Sequence, residues 1–361
     1  MERVFNFNAG PATLPLVVLE EAQRELLNFK GTGMSVMENS HRTKEYEAIN
    51  SEAEALIKEL LDVPENYRVL FLQGGASTQF AAVSLNLVPP DGHADYILTG
   101  AWAEKAYKEA SKFVKTNVIA TTQDENFNRI PTIEEIKVSD GPAYVHLCSN
   151  NTIFGTQWQS FPDLGGVPLV ADMSSDILSR RFDVSKFALI YAGAQKNLGP
   201  AGVTVVIIRK DLLENISGKI PTMLRYDIHA KNDSLYNTPP SFSVYMVNLV
   251  LRWLKNNGGL AAAEKRNAEK AALIYNTIDN SGGYYRGHAV KDSRSLMNIT
   301  FRLPSEELEK KFAAEATAQG MVGLKGHRSV GGLRASVYNA MSIDGCKALA
   351  EFMKAFQSNN K

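Results

Sequence analysis

From Phe187 to Ile208 the only charged residue is Lys196, set in F-A-L-I-Y-A-G-A-Q-K-N-L-G-P-A-G between two apolar runs that read as buried strands. Burying an unpaired ammonium is costly, and desolvation favours the neutral amine, the form that attacks a carbonyl and holds a Schiff base. A loop lysine that reaches water along its flexible stem accounts for the same pattern. Lys196 therefore needs partners before it implies chemistry.

Two other stretches supply candidates. In R-V-L-F-L-Q-G-G-A-S-T-Q-F a strand runs into Gly74-Gly75 and a helix opens near Ser77, so backbone N–H groups and hydroxyls can form a phosphate cup. It lacks the third glycine of G-x-G-x-x-G and the G-K-[ST] of a P-loop, and an ordinary capped turn explains it equally. In V-P-L-V-A-D-M-S-S a carboxylate, Asp172, ends a buried strand and needs a partner. A pyridinium nitrogen would serve, and so would a cap or a nearby arginine. Taken in order, the Gly74-Gly75 turn, Trp102, Thr152, Asp172 and Lys196 fall at successive strand ends. Together they match the contacts pyridoxal phosphate requires: phosphate cup, ring stack, ring hydroxyl, ring nitrogen and Schiff base.

The elements that must position these residues are legible as periods. Val18, Ala22, Leu26 and Phe29 predict a helix stopped at Gly31, and Tyr46, Ile49, Ala53, Leu56 and Leu60 a second one capped by Thr43. From residue 68 strands and helices alternate: R-V-L-F-L, a helix from Gln79 to Val88, Y-I-L-T, a helix from Trp102 to Phe113, and N-V-I-A-T. A short helix near Ile133 precedes A-Y-V-H-L-C, V-P-L-V-A-D, F-A-L-I-Y and V-T-V-V-I-I. This pattern predicts an α/β fold, a mainly parallel sheet with helices on both faces and ligands at the carboxyl ends of its strands. After residue 215 the signal is loop-like up to a helix from Ser243 to Lys255. Gly258-Gly259 marks the preferred boundary between a large cofactor-binding domain (16–258) and a smaller α+β domain (259–361), with an ordered arm over 1–15.

The 361 residues carry 39 Lys+Arg and 39 Asp+Glu, so no overall field points to nucleic acid or an anionic membrane. Two cysteines, Cys148 and Cys346, form no disulfide framework, and no apolar run approaches membrane-spanning length. The expectation is a cytoplasmic protein. Recognition of anions must then be local. His41-Arg42, His327-Arg328 and Arg334 are the candidates, since arginine grips carboxylate or phosphate with two parallel hydrogen bonds. Six scattered histidines without ligand spacing disfavour a zinc hydrolase, and the missing glycine fingerprint disfavours a nicotinamide-linked dehydrogenase.

End to end, the chain resembles the phosphoserine aminotransferase family, fold-type I pyridoxal-phosphate enzymes of aminotransferase class V. The matching motifs are F-N-F-N-A-G-P-A-T-L-P, H-R, Q-G-G-A-S-T-Q-F, G-A-W, V-A-D-M-S-S, Y-A-G-A-Q-K-N-L-G-P-A-G, Y-N-T-P-P-S-F and G-H-R-S-V-G-G-L-R-A-S-V-Y-N-A. The resemblance implies a seven-stranded sheet in the large domain. It implies that Lys196 is the Schiff-base lysine and proton shuttle, that Asp172 holds the ring nitrogen protonated, and that Trp102 stacks on the ring. Thr152 would bind the ring oxygen, and Ala76, Ser77 and Gln195 the cofactor phosphate. Asn237 and Thr238 would reach that phosphate from the other subunit of a homodimer. Arg334 would take the substrate α-carboxylate. His41 and Arg42 would take the distal phosphate or carboxylate, with His327 and Arg328 of the partner chain. Some members carry Gly-Arg at Ala76-Ser77 and Ser at Ala9, which removes a possible phosphate contact and a possible substrate contact here.

The implied reaction transfers an amino group from L-glutamate to 3-phosphohydroxypyruvate, giving O-phospho-L-serine and 2-oxoglutarate in serine biosynthesis. Some members also act on 3-hydroxy-2-oxo-4-phosphooxybutanoate in pyridoxine biosynthesis. The rival within enzymes is a class V aminotransferase with a non-phosphorylated acceptor. From another class, the rival is a binding protein that keeps the fold without catalysis, which would tolerate loss of Lys196.

Overall fold

The computed structural model describes residues 3–360. The N-terminal part contains β1 (Phe5–Asn6), α1 (Leu16–Glu25) and α2 (Lys44–Leu60). Next come β2 (Tyr67–Leu72), α3 (Gly75–Leu87), β3 (His93–Leu98), α4 (Ala101–Ala110), β4 (Lys115–Thr121) and β5 (Val145–Cys148). A hairpin of β6 (Asn150–Asn151) and β7 (Thr156–Gln157) leads to β8 (Leu169–Asp172), β9 (Leu189–Gly193) and β10 (Thr204–Arg209). Then follow α5 (Tyr226–Lys231), α6 (Ser241–Asn256), α7 (Gly259–Asp279), β11 (Arg286–Gly287) and β12 (Asn298–Arg302). The last elements are α8 (Glu306–Ala318), β13 (Met321–Val322), β14 (Leu333–Ser336) and α9 (Ile343–Asn359).

Seven strands form one sheet in the order β2-β10-β9-β8-β5-β3-β4. Its neighbours pair parallel except at β10, which runs antiparallel to both β2 and β9. Residues 194–203 alone separate β9 from β10, too short a connection for a crossover, so the chain turns back on itself there. The strands read as unbroken apolar runs because both faces are covered. Along β9, Leu189 and Tyr191 face one core with Tyr96 and Val206, while Ile190 and Ala192 face another with Leu147 and Val205. The second of these is closed by α2 and α6, which pack on each other. Tyr46, Ile49, Ala53 and Leu56 of α2 are buried at helical spacing, and the Thr43 hydroxyl caps the helix by accepting from the Tyr46 N–H at 3.4 Å.

A separate core gathers Ile274, Phe301, Phe312 and Phe352 of the C-terminal part. Helix α7 serves both regions, with Leu260 and Ala263 in the sheet's core and Ala271 and Ile274 in the C-terminal one. The N-terminal arm belongs to the C-terminal core too: β1 pairs parallel with β13, and Phe7 is fully buried there.

Several elements differ from expectation in extent. The first helix ends at Glu25, leaving Leu26 37% exposed, and Phe29 lies in a separate 3-10 turn. Near Ile133 there is only one 3-10 turn, Ile133–Glu135. Helix α4 stops at Ala110 rather than Phe113. Helix α3 begins at Gly75, earlier than Gln79, because Gly74 takes a left-handed φ of 90° and no side chain caps the start. In the loop-like stretch after residue 215 lies α5, too short for a readable period and likewise without a side-chain cap.

Candidate active site

Every parallel strand of the sheet ends at the same edge, and the chemistry-bearing residues follow those ends. Asp172 closes β8, Lys196 follows β9, and Thr152 comes shortly after β5. Trp102 lies in the first turn of α4 after β3, and Gly74 to Ser77 follow β2. A cavity of about 140 Å³ at this edge is lined by Ala76, Ser77, Trp102, Thr152, Asp172, Gln195 and Lys196. Seven of the nine residues expected around the cofactor therefore share one cavity, all but Asn237 and Thr238.

Lys196 Nζ donates to Thr152 Oγ1 at 2.7 Å and lies 5.7 Å from the centre of the Trp102 ring. Burial holds its amine below the ordinary lysine range, against the opposing pull of Asp172, and the charge of Arg334 adds to the lowering. Asp172 is 5% exposed. Its Oδ1 accepts from the Ser174 N–H at 2.9 Å and the Ser174 hydroxyl at 2.6 Å, while Oδ2 has no donor among the described residues. Burial raises this carboxyl above the ordinary aspartate range; the Ser174 bonds and Lys196 pull it back. Trp102 Nε1 is buried with no hydrogen-bond partner among the described residues, and Lys105 Nζ sits 4.3 Å from the ring centre. Gly74 cannot be replaced cheaply here, since a Cβ on it would lie 2.0 Å from Thr78 Oγ1. The hydroxyl of Thr78 instead donates to the Gly74 carbonyl at 2.9 Å, tightening the turn that presents Ala76 and Ser77.

Arg334 on β14 reaches the same place from the C-terminal part. Its guanidinium donates to the Thr152 carbonyl at 3.2 Å, its Nε is buried without a partner, and burial lowers its pKa. His327 and Arg328 lie in the turn before β14. His327 Nδ1 pairs with the Ser329 hydroxyl at 2.7 Å, and burial together with the charges of Arg334, Arg328 and Lys105 disfavours its protonation. Val330 of this turn and Trp102 both pack against the cluster of Phe127, Ile153 and Phe154, which brings the turn to the Trp102 side of the site. No carboxylate pairs with Arg42, Lys105, Lys196, Arg328 or Arg334 among the described residues, whereas Arg129, Arg209, Arg225, Arg294 and Arg302 each hold one. A group of cations left without counter-ions suits anionic ligands.

Besides Arg334, His327 and Arg328, four more expected residues are not part of this cavity's lining. His41 and Arg42 occupy the turn before α2, His41 with a buried, unpartnered Nε2 and Arg42 exposed. Asn237 lines a larger cavity of about 470 Å³ that contains Gly74, Tyr226 and His229 but none of the lysine, aspartate or tryptophan. Its neighbour Thr238 accepts from Gln73 Nε2 at 3.0 Å through its carbonyl. Conversely, Cys148, Asn150, Ser174 and Ser175 line the Lys196 cavity without having been singled out. Only Ser174 and Ser175 had a visible signal, the M-S-S that follows Asp172.

The class-V aminotransferase family model matches residues 4–349. The chain belongs to that family. Within it, the chain is 65% identical to the phosphoserine aminotransferase of Herpetosiphon aurantiacus over 98% of each protein. It is 57% identical to that of Bacillus subtilis over the whole of both. Among solved structures, phosphoserine aminotransferase from Bacillus circulans subsp. alkalophilus superposes with a TM-score of 0.98 at 56% identity over 100% of both chains. The pyridoxal-phosphate-bound phosphoserine aminotransferase of Trichomonas vaginalis superposes with 0.93 at 40% identity, over 98% of this chain and 100% of that one. The aminotransferase therefore shares fold and length with these relatives, and no helix among its described residues is long and apolar enough to cross a membrane.

Proposed function

We propose that this aminotransferase uses pyridoxal phosphate to move the amino group of L-glutamate to 3-phosphohydroxypyruvate, forming O-phospho-L-serine and 2-oxoglutarate. The observation that carries this reading is the Lys196 amine, kept from ordinary protonation by burial, in one cavity with Asp172, Trp102 and Thr152. When bound, pyridoxal phosphate supplies the electron-poor ring on which amino groups and α-protons become mobile. The residues present fit that group. Asp172 Oδ2 offers a free acceptor to a ring N–H, with Oδ1 already fixed by Ser174. Trp102 offers a face for the ring, and Ala76, Ser77 and Gln195 line the phosphate end.

Lys196 Nζ then holds the cofactor and afterwards moves the proton at the substrate Cα, with Thr152 orienting the amine. Arg334 takes the α-carboxylate, being held beside the cavity by its bond to Thr152. His41, Arg42, His327 and Arg328 take the distal phosphate or carboxylate. Asn237 and Thr238, outside the cavity of their own chain, serve the cofactor phosphate of a second copy in a cytoplasmic homodimer.

The test is a coupled assay of glutamate with 3-phosphohydroxypyruvate. Phosphoserine formation supports the reading. Turnover of a non-phosphorylated 2-oxo acid with no phosphoserine would hand the site to the rival class V reading.

A further inference from the structure

The N-terminal arm passes as a strap beside Lys196 and Gln195, and the C-terminal part ties it down. The Phe7 N–H donates to the Val322 carbonyl at 2.8 Å, and the Ser336 N–H donates to the Phe7 carbonyl at 3.2 Å. The Tyr338 hydroxyl donates to the Ala9 carbonyl at 2.7 Å. Just beyond that point the strap meets the reactive residues. The Ala12 N–H donates to the Gln195 carbonyl at 2.9 Å, and a Cβ on Gly10 would lie 3.4 Å from Lys196 Cγ.

Tyr338 is itself the end of a directed hydrogen-bond chain that begins at the cavity wall. The Ser295 hydroxyl donates to Asn150 Oδ1 at 2.5 Å, and Asn150 Nδ2 donates to Asn298 Oδ1 at 2.8 Å. Asn298 Nδ2 in turn donates to the Tyr338 hydroxyl at 3.0 Å. The Tyr338 oxygen already accepts from Asn298, so its proton is directed to Ala9. Asn150, Asn298 and Tyr338 are at most 1% exposed, so water cannot substitute for a missing partner. Asn150 is also a wall residue of the cavity. The chain therefore joins the wall, the C-terminal part and the strap.

We propose that Tyr338, held by Asn298, is a positioning residue for transamination: it seats the Ala9–Ala12 strap on the stem of Lys196 and on Gln195. The inference rests on the reading of Lys196 as the reactive amine. Tyr338→Phe keeps the ring and leaves the Ala9 carbonyl without its donor. In the cofactor-free full chain, hydrogen exchange at the Ala12 amide should accelerate about tenfold while amides of β12 and α7 keep their rates. In the holoenzyme kcat should fall about tenfold with the KM for glutamate changed less than about twofold, the mark of a displaced Lys196 rather than of a lost substrate contact.

Unchanged Ala12 exchange and unchanged kcat in Tyr338→Phe would overturn the proposal, as would acceleration spread evenly over β12 and α7. Should the wild-type holoenzyme fail to take glutamate at all, the proposed reaction falls instead, and the Ala12 exchange rate still decides the strap.

Discussion

Lys196 and Arg334 meet on one residue. Thr152 accepts from Lys196 through its hydroxyl at 2.7 Å and from Arg334 through its carbonyl at 3.2 Å. A side chain from the sheet's edge and one from the C-terminal part are thus tied to a common point just after β5. In the proposed reaction, the amine that would handle the Cα proton and the guanidinium that would hold the α-carboxylate thus keep a set separation, the positional control that proton transfer at Cα demands.

The two bonds can be separated by substitution. Thr152→Val removes the hydroxyl and leaves the carbonyl, so Arg334 keeps its anchor while Lys196 loses its acceptor. We expect kcat to fall about tenfold with the KM for glutamate little changed. Steady-state kinetics on both substrates checks this; a rise in KM with kcat preserved would contradict the assignment.

Lys196→Ala should remove the visible absorbance of the cofactor-loaded protein and with it all measurable transamination. Asp172→Asn should retain the fold and lose roughly 100-fold or more in kcat, because the neutral amide no longer stabilises a protonated ring nitrogen. Asp172 should also set an acid limit. Burial raises this carboxyl above the usual aspartate range, so it gains its proton, and cofactor affinity weakens, at a higher pH than an exposed aspartate would allow. Spectrophotometric titration of cofactor binding between about pH 4 and pH 7 reads this out. An acid limb that persists unchanged in Asp172→Asn would assign it to another group.

Arg334→Ala should weaken every amino-acid substrate by about 10- to 100-fold, since all carry the α-carboxylate. Arg42→Ala should act selectively, lowering kcat/KM for phosphoserine well below that for alanine. Equal losses on phosphoserine and alanine would remove Arg42 from the distal phosphate site.

Charges and special turns amid apolar runs made the central site legible. Lys196 stands out because nothing else from Phe187 to Ile208 is charged and Asp172 because it ends an apolar run, and strand–turn alternation alone places them at one edge of a parallel sheet. Asn150 escapes notice because a small polar residue among others looks like an ordinary turn former; only the fold brings it against the cavity. The seating of the arm on β13 is a contact between chain ends, and no local pattern encodes it. Asn237 lines a cavity other than that of Lys196, and no local pattern encodes that placement either.

Lys270 is the clearest residue that helical periodicity conceals, and it yields a stability prediction. In A-E-K-A-A-L-I of α7 it reads as a solvated lysine, yet it is 2% exposed. Its Nζ donates to the carbonyls of Val337 at 3.0 Å, Tyr338 at 2.6 Å and Met341 at 3.1 Å, shaping the turn that carries Tyr338. Burial lowers its pKa from 10.5 to about 8. The unfolded chain therefore binds more protons than the folded one between about pH 8 and pH 10.5, and unfolding free energy should rise with pH across that window. Below about pH 8 the cost of burying the charge, on the order of 3 kcal/mol, is fully present. Lys270→Met removes the titration while leaving three carbonyls unpaired, so the variant is less stable overall but lacks this increment. Urea unfolding of both proteins at pH 7, 8, 9 and 10 should show the wild type gaining on the variant as pH rises, a gap that repeats at every pH being the result that refutes it.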